Sequence, residues 1–217
     1  MAERLRLGIL ASGRGSNLQA IIDRCADGRL SAQVAVVISD VADAFALERA
    51  RRAGLPAEFV DRKAFASRED FDRAILARLQ ERGVGLIVLA GYLRLLTRVL
   101  VDPFAGRLLN IHPSLLPAFG GRGLHGLRVH QAVLDYGAKI SGLTVHFVEL
   151  ETDAGPILLQ HAVEVEDDDT ADSLSDRILA FEHSKYSEAI QLFAEGRLRI
   201  EGRRVRVRPK AEPADET

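Results

Sequence analysis

The sequence predicts an α/β protein: an open, mostly parallel twisted sheet flanked by helices, with an antiparallel strand pair at one side. Three observations predict it. Short apolar runs alternate with amphipathic helical patterns up to His112, the order that builds parallel sheets with right-handed crossovers. The first of these runs passes straight into the glycine turn Ser12-Gly13-Arg14-Gly15-Ser16-Asn17. Two later runs, Ser141 to Glu149 and Ile157 to Val165, alternate with period two and are joined through Gly155-Pro156, most simply as an antiparallel pair.

Taken in order, Leu5 to Ala11 is the first strand, and Ser16 or Asn17 is a good cap for the helix that follows. Leu18, Ile21, Ile22 and Cys25 form that helix's i, i+3, i+4, i+7 stripe. Gln33 to Ser39 reads as the second strand, Ala42 to Ala53 as the second helix and Ala57 to Val60 as a short third strand. Ser67 to Arg82 is a long helix, Val84 to Ala90 the fourth strand, and Leu108 to His112 the fifth. A helix from Leu127 to Tyr136 precedes the alternating pair, and a last long helix covers Thr170 to Glu195. Arg199 to Val207 reads as a small hairpin turning at Glu201-Gly202, and 209–217 as a disordered tail. With no internal repeat and no linker, residues 1–208 are expected to form one domain, Rossmann-like in its strand and helix order.

Asn110-Ile111-His112-Pro113 is the most informative stretch. Side chains two apart in a strand share a face, and Pro113 denies the ladder an N–H and pushes His112 out of helical geometry. The strand therefore ends at His112, and in an open α/β sheet the crevice outside the carboxyl ends of the strands is where ligands bind. By itself, N-x-H reads as a capped core strand with a satisfied histidine. The glycine turn is a second candidate, because a strand, a glycine turn and a helix N-terminus present free N–H groups and positive dipole to an anion. Gly13 and Gly15 are followed by Leu18 where a dinucleotide fingerprint needs a third glycine, and no P-loop lysine is present; one phosphate fits better than two. Asp153 alone reads as a turn residue before Gly155-Pro156.

Composition narrows the function. Twenty-nine basic and 31 acidic residues leave a formal charge of -2, which offers no footprint for nucleic acid or an anionic membrane surface. The longest apolar stretch, Val84 to Leu93, is about half of the ~20 residues a membrane span needs. The N-terminus reads as a strand and not as a secretory signal, so a cytoplasmic protein is expected. Cys25, the one cysteine, reads as an inert helix residue. His125 and His130 lie five apart instead of four, and cysteine ligands are lacking, so no metal is expected. His146 reads as a buried, hydrogen-bonded strand histidine. Glu166 to Asp169 lacks the spacing of a calcium loop and reads as a solvated turn.

Asn110-Ile111-His112-Pro113-Ser114-Leu115-Leu116-Pro117, together with Ser12 to Gln19 and Asp153-Ala154-Gly155-Pro156, resembles the phosphoribosylglycinamide formyltransferases, folate-dependent enzymes of purine synthesis. The likeness runs from about Leu7 to about Glu195. It implies that Asn110, His112 and Asp153 are catalytic. It implies that Gly15, Ser16 and Asn17 hold a ribose phosphate, and that Glu182 contacts the glycinamide substrate, with Leu179, Ala180 and Phe181 before it contributing by backbone. It further implies that 10-formyltetrahydrofolate lies along Leu93, Arg94, Leu95 and Leu96 and along Glu149, Leu150, Glu151, Thr152 and Asp153, with Asn110 at its formyl end and Arg68 near its acidic tail. Unaided, Arg94 reads as a surface cation and Glu182 as a solvent-facing helix carboxylate. This chain departs from its relatives at Ser187, where proline commonly follows the tyrosine, and in an enlarged Gly120 to Gly126 segment.

Transfer of a formyl group to an amine explains these residue types. The attacking amine must lose a proton, the oxyanion must be stabilised and the leaving nitrogen must gain a proton. Asn110 can donate to the oxyanion, His112 can relay protons, and Asp153 can stabilise the imidazolium. The partners expected are therefore small molecules, glycinamide ribonucleotide and formyl-folate, with the protein a monomer or homodimer. Methionyl-tRNA formyltransferase and formyltetrahydrofolate deformylase resemble the same central motif, but each carries a further domain for which 217 residues leave no room. An NAD-dependent oxidoreductase would use Asp40, after the second strand, as ribose acceptor, and the imperfect glycine motif argues against it. A folate or nucleotide sensor without turnover would not need all three catalytic side-chain types.

Overall fold

The computed structural model describes residues 4–210. The elements in chain order are β1 (Leu5–Leu10), α1 (Ser16–Ala26), β2 (Ala32–Ser39), α2 (Phe45–Arg52), β3 (Ala57–Phe59), α3 (Arg68–Glu81), β4 (Leu86–Leu89), α4 (Arg98–Val101), β5 (Leu108–His112), α5 (Leu127–Tyr136), β6 (Ile140–Phe147), β7 (Ile157–Glu164), α6 (Ala171–Ala194), β8 (Leu198–Glu201) and β9 (Arg204–Val207). The strands form one nine-stranded sheet in the order β3-β2-β1-β4-β5-β6-β7-β9-β8. Strands β1 to β5 are parallel, as the alternation of strand and helix predicts. The antiparallel pair β6 and β7 lies to one side of the parallel strands, as expected: β6 runs antiparallel to β5, β7 to β6, and the β8-β9 hairpin adds beyond β7 through one bridge, Ile157 to Arg204. Of the expected tail, residues 211–217 lie outside the described residues, and Pro209 and Lys210 follow β9 without regular structure.

Both faces of the sheet are covered, because the strands project apolar residues in both directions. On one face Leu7, Ile9, Val88, Leu109 and Val145 pack against Leu18 and Ile21 of α1, Leu47 of α2, Val133 of α5 and Ile178, Tyr186 and Ile190 of α6. On the other, Leu10, Ile38, Ile87 and Leu108 meet Phe71, Ile75 and Leu79 of α3, Leu100 of α4 and Phe104. A core of this width is worth tens of kcal/mol of gross hydrophobic free energy at ~25 cal/mol per Å², most of it offset by chain entropy.

Sequence signals set several of the boundaries. Ser67 caps α3 by accepting from the Asp70 N–H at 3.0 Å, and Thr170 and Ser173 make a reciprocal capping box at α6. Helix α1 departs from expectation: neither Ser16 nor Asn17 is its cap. Gly15 is, at φ 69°, with no side chain closing the helix end. A Cβ on Gly15 would meet Ala46 at 2.8 Å, so both the turn and the close approach of α2 require glycine there. Ser187 lies buried within α6, its hydroxyl donating to the His183 carbonyl at 2.9 Å. One residue before Ser187, the Tyr186 hydroxyl donates to the carbonyls of Leu89 at 2.8 Å and Leu109 at 3.0 Å, joining α6 to β4 and β5.

Candidate active site

A cleft of about 580 Å³ opens at the carboxyl ends of β1, β4 and β5, where the strand order turns outward in two directions from β1 and β4. Its walls are the glycine turn, the Ala90 to Leu96 segment after β4, Asn110 and His112 on β5, the Gly121 to Gly126 segment, the Val148 to Asp153 loop, and Ser175, Leu179 and Glu182 of α6.

The catalytic candidates converge on its floor. His112 is 4% exposed; its Nε2 hydrogen-bonds to the Phe119 carbonyl at 2.9 Å, and because a carbonyl only accepts, Nε2 carries a proton. Its Nδ1 then faces Asp153 Oδ2 at 3.5 Å. The Asp153 side chain is 10% exposed and Oδ2 also accepts the Gly121 N–H at 2.9 Å. Asp153 has φ 56°, a left-handed conformation that a short polar side chain tolerates better than a branched one. The expected trio is thus brought together from β5 and from a loop far along the chain.

His146 joins them, as its sequence context alone did not suggest. Strand register pairs it with Asn110, and its Nδ1 donates to the Phe147 carbonyl at 2.9 Å. Nε2 is then left as an acceptor for the Asn110 amide at 3.2 Å, and it lies 3.7 Å from Asp153 Oδ1. Burial pushes the His146 pKa below its ordinary value, against the Phe147 carbonyl and the Asp153 charge, which raise it. A neutral His146 can therefore hold one Asn110 N–H and leave the other for a ligand. Only the antiparallel β5-β6 pairing exposes this, and the alternation of β6 was its one sequence signal. His130 of α5 also lines the cleft, 2% exposed, and burial, with His112 nearby, lowers its pKa to about 4.

The open end of α1 forms one end of the cleft, where Gly15, Ser16 and Asn17 all line it. Glu182 is not solvent-facing, contrary to its unaided reading: it is 8% exposed and Oε2 accepts from Asn17 Nδ2 at 2.7 Å. Burial raises its pKa, with the Asn17 hydrogen bond opposing. Leu179 and Glu182 share the cleft face of α6 with Ser175, which was not anticipated. Ala180 and Phe181 are exposed and do not line the cleft; Phe181 stacks on His161 instead, ring centroids 4.2 Å apart.

At the other end, Leu93, Leu95 and Leu150 expose apolar side chains at the cleft mouth, and Arg94, Leu96, Glu149 and Thr152 line it too. Glu151 faces a neighbouring groove. Arg68 lies outside the cleft lining but donates to the Leu95 carbonyl at 2.8 Å. Arg94 is not a free surface cation: its Nε donates to Asp40 Oδ2 at 2.6 Å. Asp40 is thereby engaged, with Ser12 on its second oxygen at 2.6 Å, and is not available as a ribose acceptor. Among the described residues no group of three or more His, Cys, Asp and Glu is arranged to hold a metal, and no helix is long and apolar enough to cross a membrane.

A half-buried amide and a buried imidazole at the end of β5, met by a loop carboxylate, are the side-chain types that an acyl-transfer class of enzyme uses. The family model described as formyl transferase matches residues 5–190. The chain is 43% identical over 196 residues to phosphoribosylglycinamide formyltransferase of Escherichia coli, covering 90% of each. It is 41% identical over 198 residues to human trifunctional purine biosynthetic protein adenosine-3, of which it spans only 19%. The crystal structure of glycinamide ribonucleotide transformylase 1 from Symbiobacterium toebii superposes with a TM-score of 0.92 at 54% identity, covering 96% of both chains. This chain belongs to the formyl transferase family, among the phosphoribosylglycinamide formyltransferases.

Proposed function

We propose that the protein transfers a formyl group from 10-formyltetrahydrofolate directly to the amine of N1-(5-phospho-D-ribosyl)glycinamide in purine (IMP) synthesis, residues 1–208 acting as one formyltransferase domain. The observation that carries the reading is the convergence of Asn110, His112 and Asp153 in one cleft that an uncapped helix end and exposed leucines also line. The helix end suits the ribose phosphate, and the mouth suits the pterin, which needs an apolar slot with few polar anchors. Glu182, held by Asn17, faces the ribonucleotide's end of the cleft.

Asn110, oriented by His146, donates its free N–H to the formyl oxygen as it becomes an oxyanion. His112, held by Asp153, passes a proton between the attacking amine and the leaving folate nitrogen. For that, its Nε2 exchanges the Phe119 carbonyl for the reacting groups. No acyl-enzyme is required, because the amine itself is the nucleophile. The test is folate absorbance followed with purified protein, with and without the ribonucleotide. Absorbance change that depends on the amine supports transfer, and change without it would identify a deformylase. In the same assay Asn17→Ala should raise the Michaelis constant for the ribonucleotide and leave that for the folate nearly unchanged.

A further inference from the structure

We propose that the buried Asp40 carboxylate is a positioning residue that fixes the Leu93–Leu96 wall of the formyl-donor subsite through Arg94 and Ser12. The inference rests on the formyl-transfer reading and concerns how one wall of that site is held. Asp40 follows β2, Ser12 follows β1 and Arg94 follows β4, so three strand ends meet at one carboxylate. Its side chain is 2% exposed against 50% for Arg94. Oδ1 accepts from Ser12 Oγ at 2.6 Å and Oδ2 from Arg94 Nε at 2.6 Å. The same Ser12 hydroxyl accepts the Leu93 N–H at 3.0 Å, and the Ser12 N–H donates to the Gly91 carbonyl at 3.0 Å.

Burial anchors the wall at Leu96, which packs against the core between Tyr92 and Thr97, but not at the two residues that face the cleft mouth. Leu93 is 59% and Leu95 40% exposed, so their hydrophobic contact with the core is slight and the segment's position depends on polar tethers. On its far side the segment is held by the Arg68 bond to the Leu95 carbonyl at 2.8 Å and by the Thr97 N–H donating to Asp72 Oδ2 at 2.6 Å. The Arg94 guanidinium is thereby committed to the scaffold through Nε. Charge-assisted hydrogen bonds are short and strong enough to fix a loop, and losing contacts made equally to the bound donor and to the transition state raises the Michaelis constant without lowering turnover.

The experiment is two-substrate steady-state kinetics on Asp40→Asn, Arg94→Met and the double variant, with thermal melting of each. The Michaelis constant for 10-formyltetrahydrofolate should rise about tenfold, the size of one lost charge-assisted hydrogen bond. Turnover at saturating donor should fall by less than that, and the Michaelis constant for the ribonucleotide should stay within about twofold, since its subsite keeps its own contacts. The double variant should be no worse than the poorer single one, because the pair acts as a unit. Equal rises for both substrates, an unchanged donor constant, or additive losses would each overturn the proposal. A lower melting point with an unchanged donor constant overturns it too. Should Asp40→Asn not fold, Arg94→Met carries the same test from a half-exposed position. Wild-type turnover without need of the amine would instead defeat the formyl-transfer reading.

Discussion

Asn110 has one N–H engaged by His146 and the other free toward the cleft, so its contribution should appear only when an oxyanion forms. Asn110→Ala should lower turnover ~100-fold to 1000-fold, the usual loss for one oxyanion donor, with both ligands still bound in titrations; normal turnover with weak binding would refute the role. Asp153 faces His112 Nδ1 and, beyond it, His146. Asp153→Asn should therefore cut turnover steeply, and the double variant with His112→Ala should be little worse than the poorer single one, as measured by single-turnover rates. Asn110 and His112 are legible in the sequence because Pro113 ends their strand. His146 and Glu182 are not, because their roles depend on the β5-β6 register and on a hydrogen bond to Asn17 across 165 residues.

Whole elements were more legible than single contacts, since period and punctuation act locally. Strand β5 and helix α5 match their expected spans residue for residue, and α3 starts at its serine cap. Helix α4 has only four residues, too few to show a period, and the cap of α1 was misplaced because the choice of Gly15 depends on Ala46 of another helix. The loop between β6 and β7 offers a test at this scale. A Cβ on Gly155 would lie 1.9 Å from the Phe147 carbonyl oxygen, a backbone atom that cannot turn aside. Gly155→Ala should cost at least the ~1–3 kcal/mol of ordinary overpacking, read as a lower urea midpoint, and should impair turnover by displacing Asp153. Unchanged values of both would show that the loop adapts.

Across the whole molecule, parallel strands and their covering helices were legible, while the strand order was not: nothing local tells β7 to pair with β9 instead of ending the sheet. Buried histidines make stability depend on pH. The His130 pKa lies near 4 against an ordinary 6.5, so the unfolded chain takes up a proton that the folded one refuses. This stability is fully present above pH 6.5 and lost as pH falls toward 4. His146 acts in the same direction, whereas Glu182, with its raised pKa, gains stability on protonation. Replacing His130 by Asn isolates its share: urea unfolding between pH 7 and 4 should fall less steeply than in wild type, and parallel curves would exclude the histidine.

The Tyr186 hydroxyl, set between the Leu89 and Leu109 carbonyls, works as a key that indexes α6 along its own axis. Glu182 stands one turn earlier on the same helix, and a slip of one turn would carry it ~5.4 Å out of reach of Asn17. The Glu182 carboxylate in the cleft is thus gauged from two strands through a tyrosine one turn away.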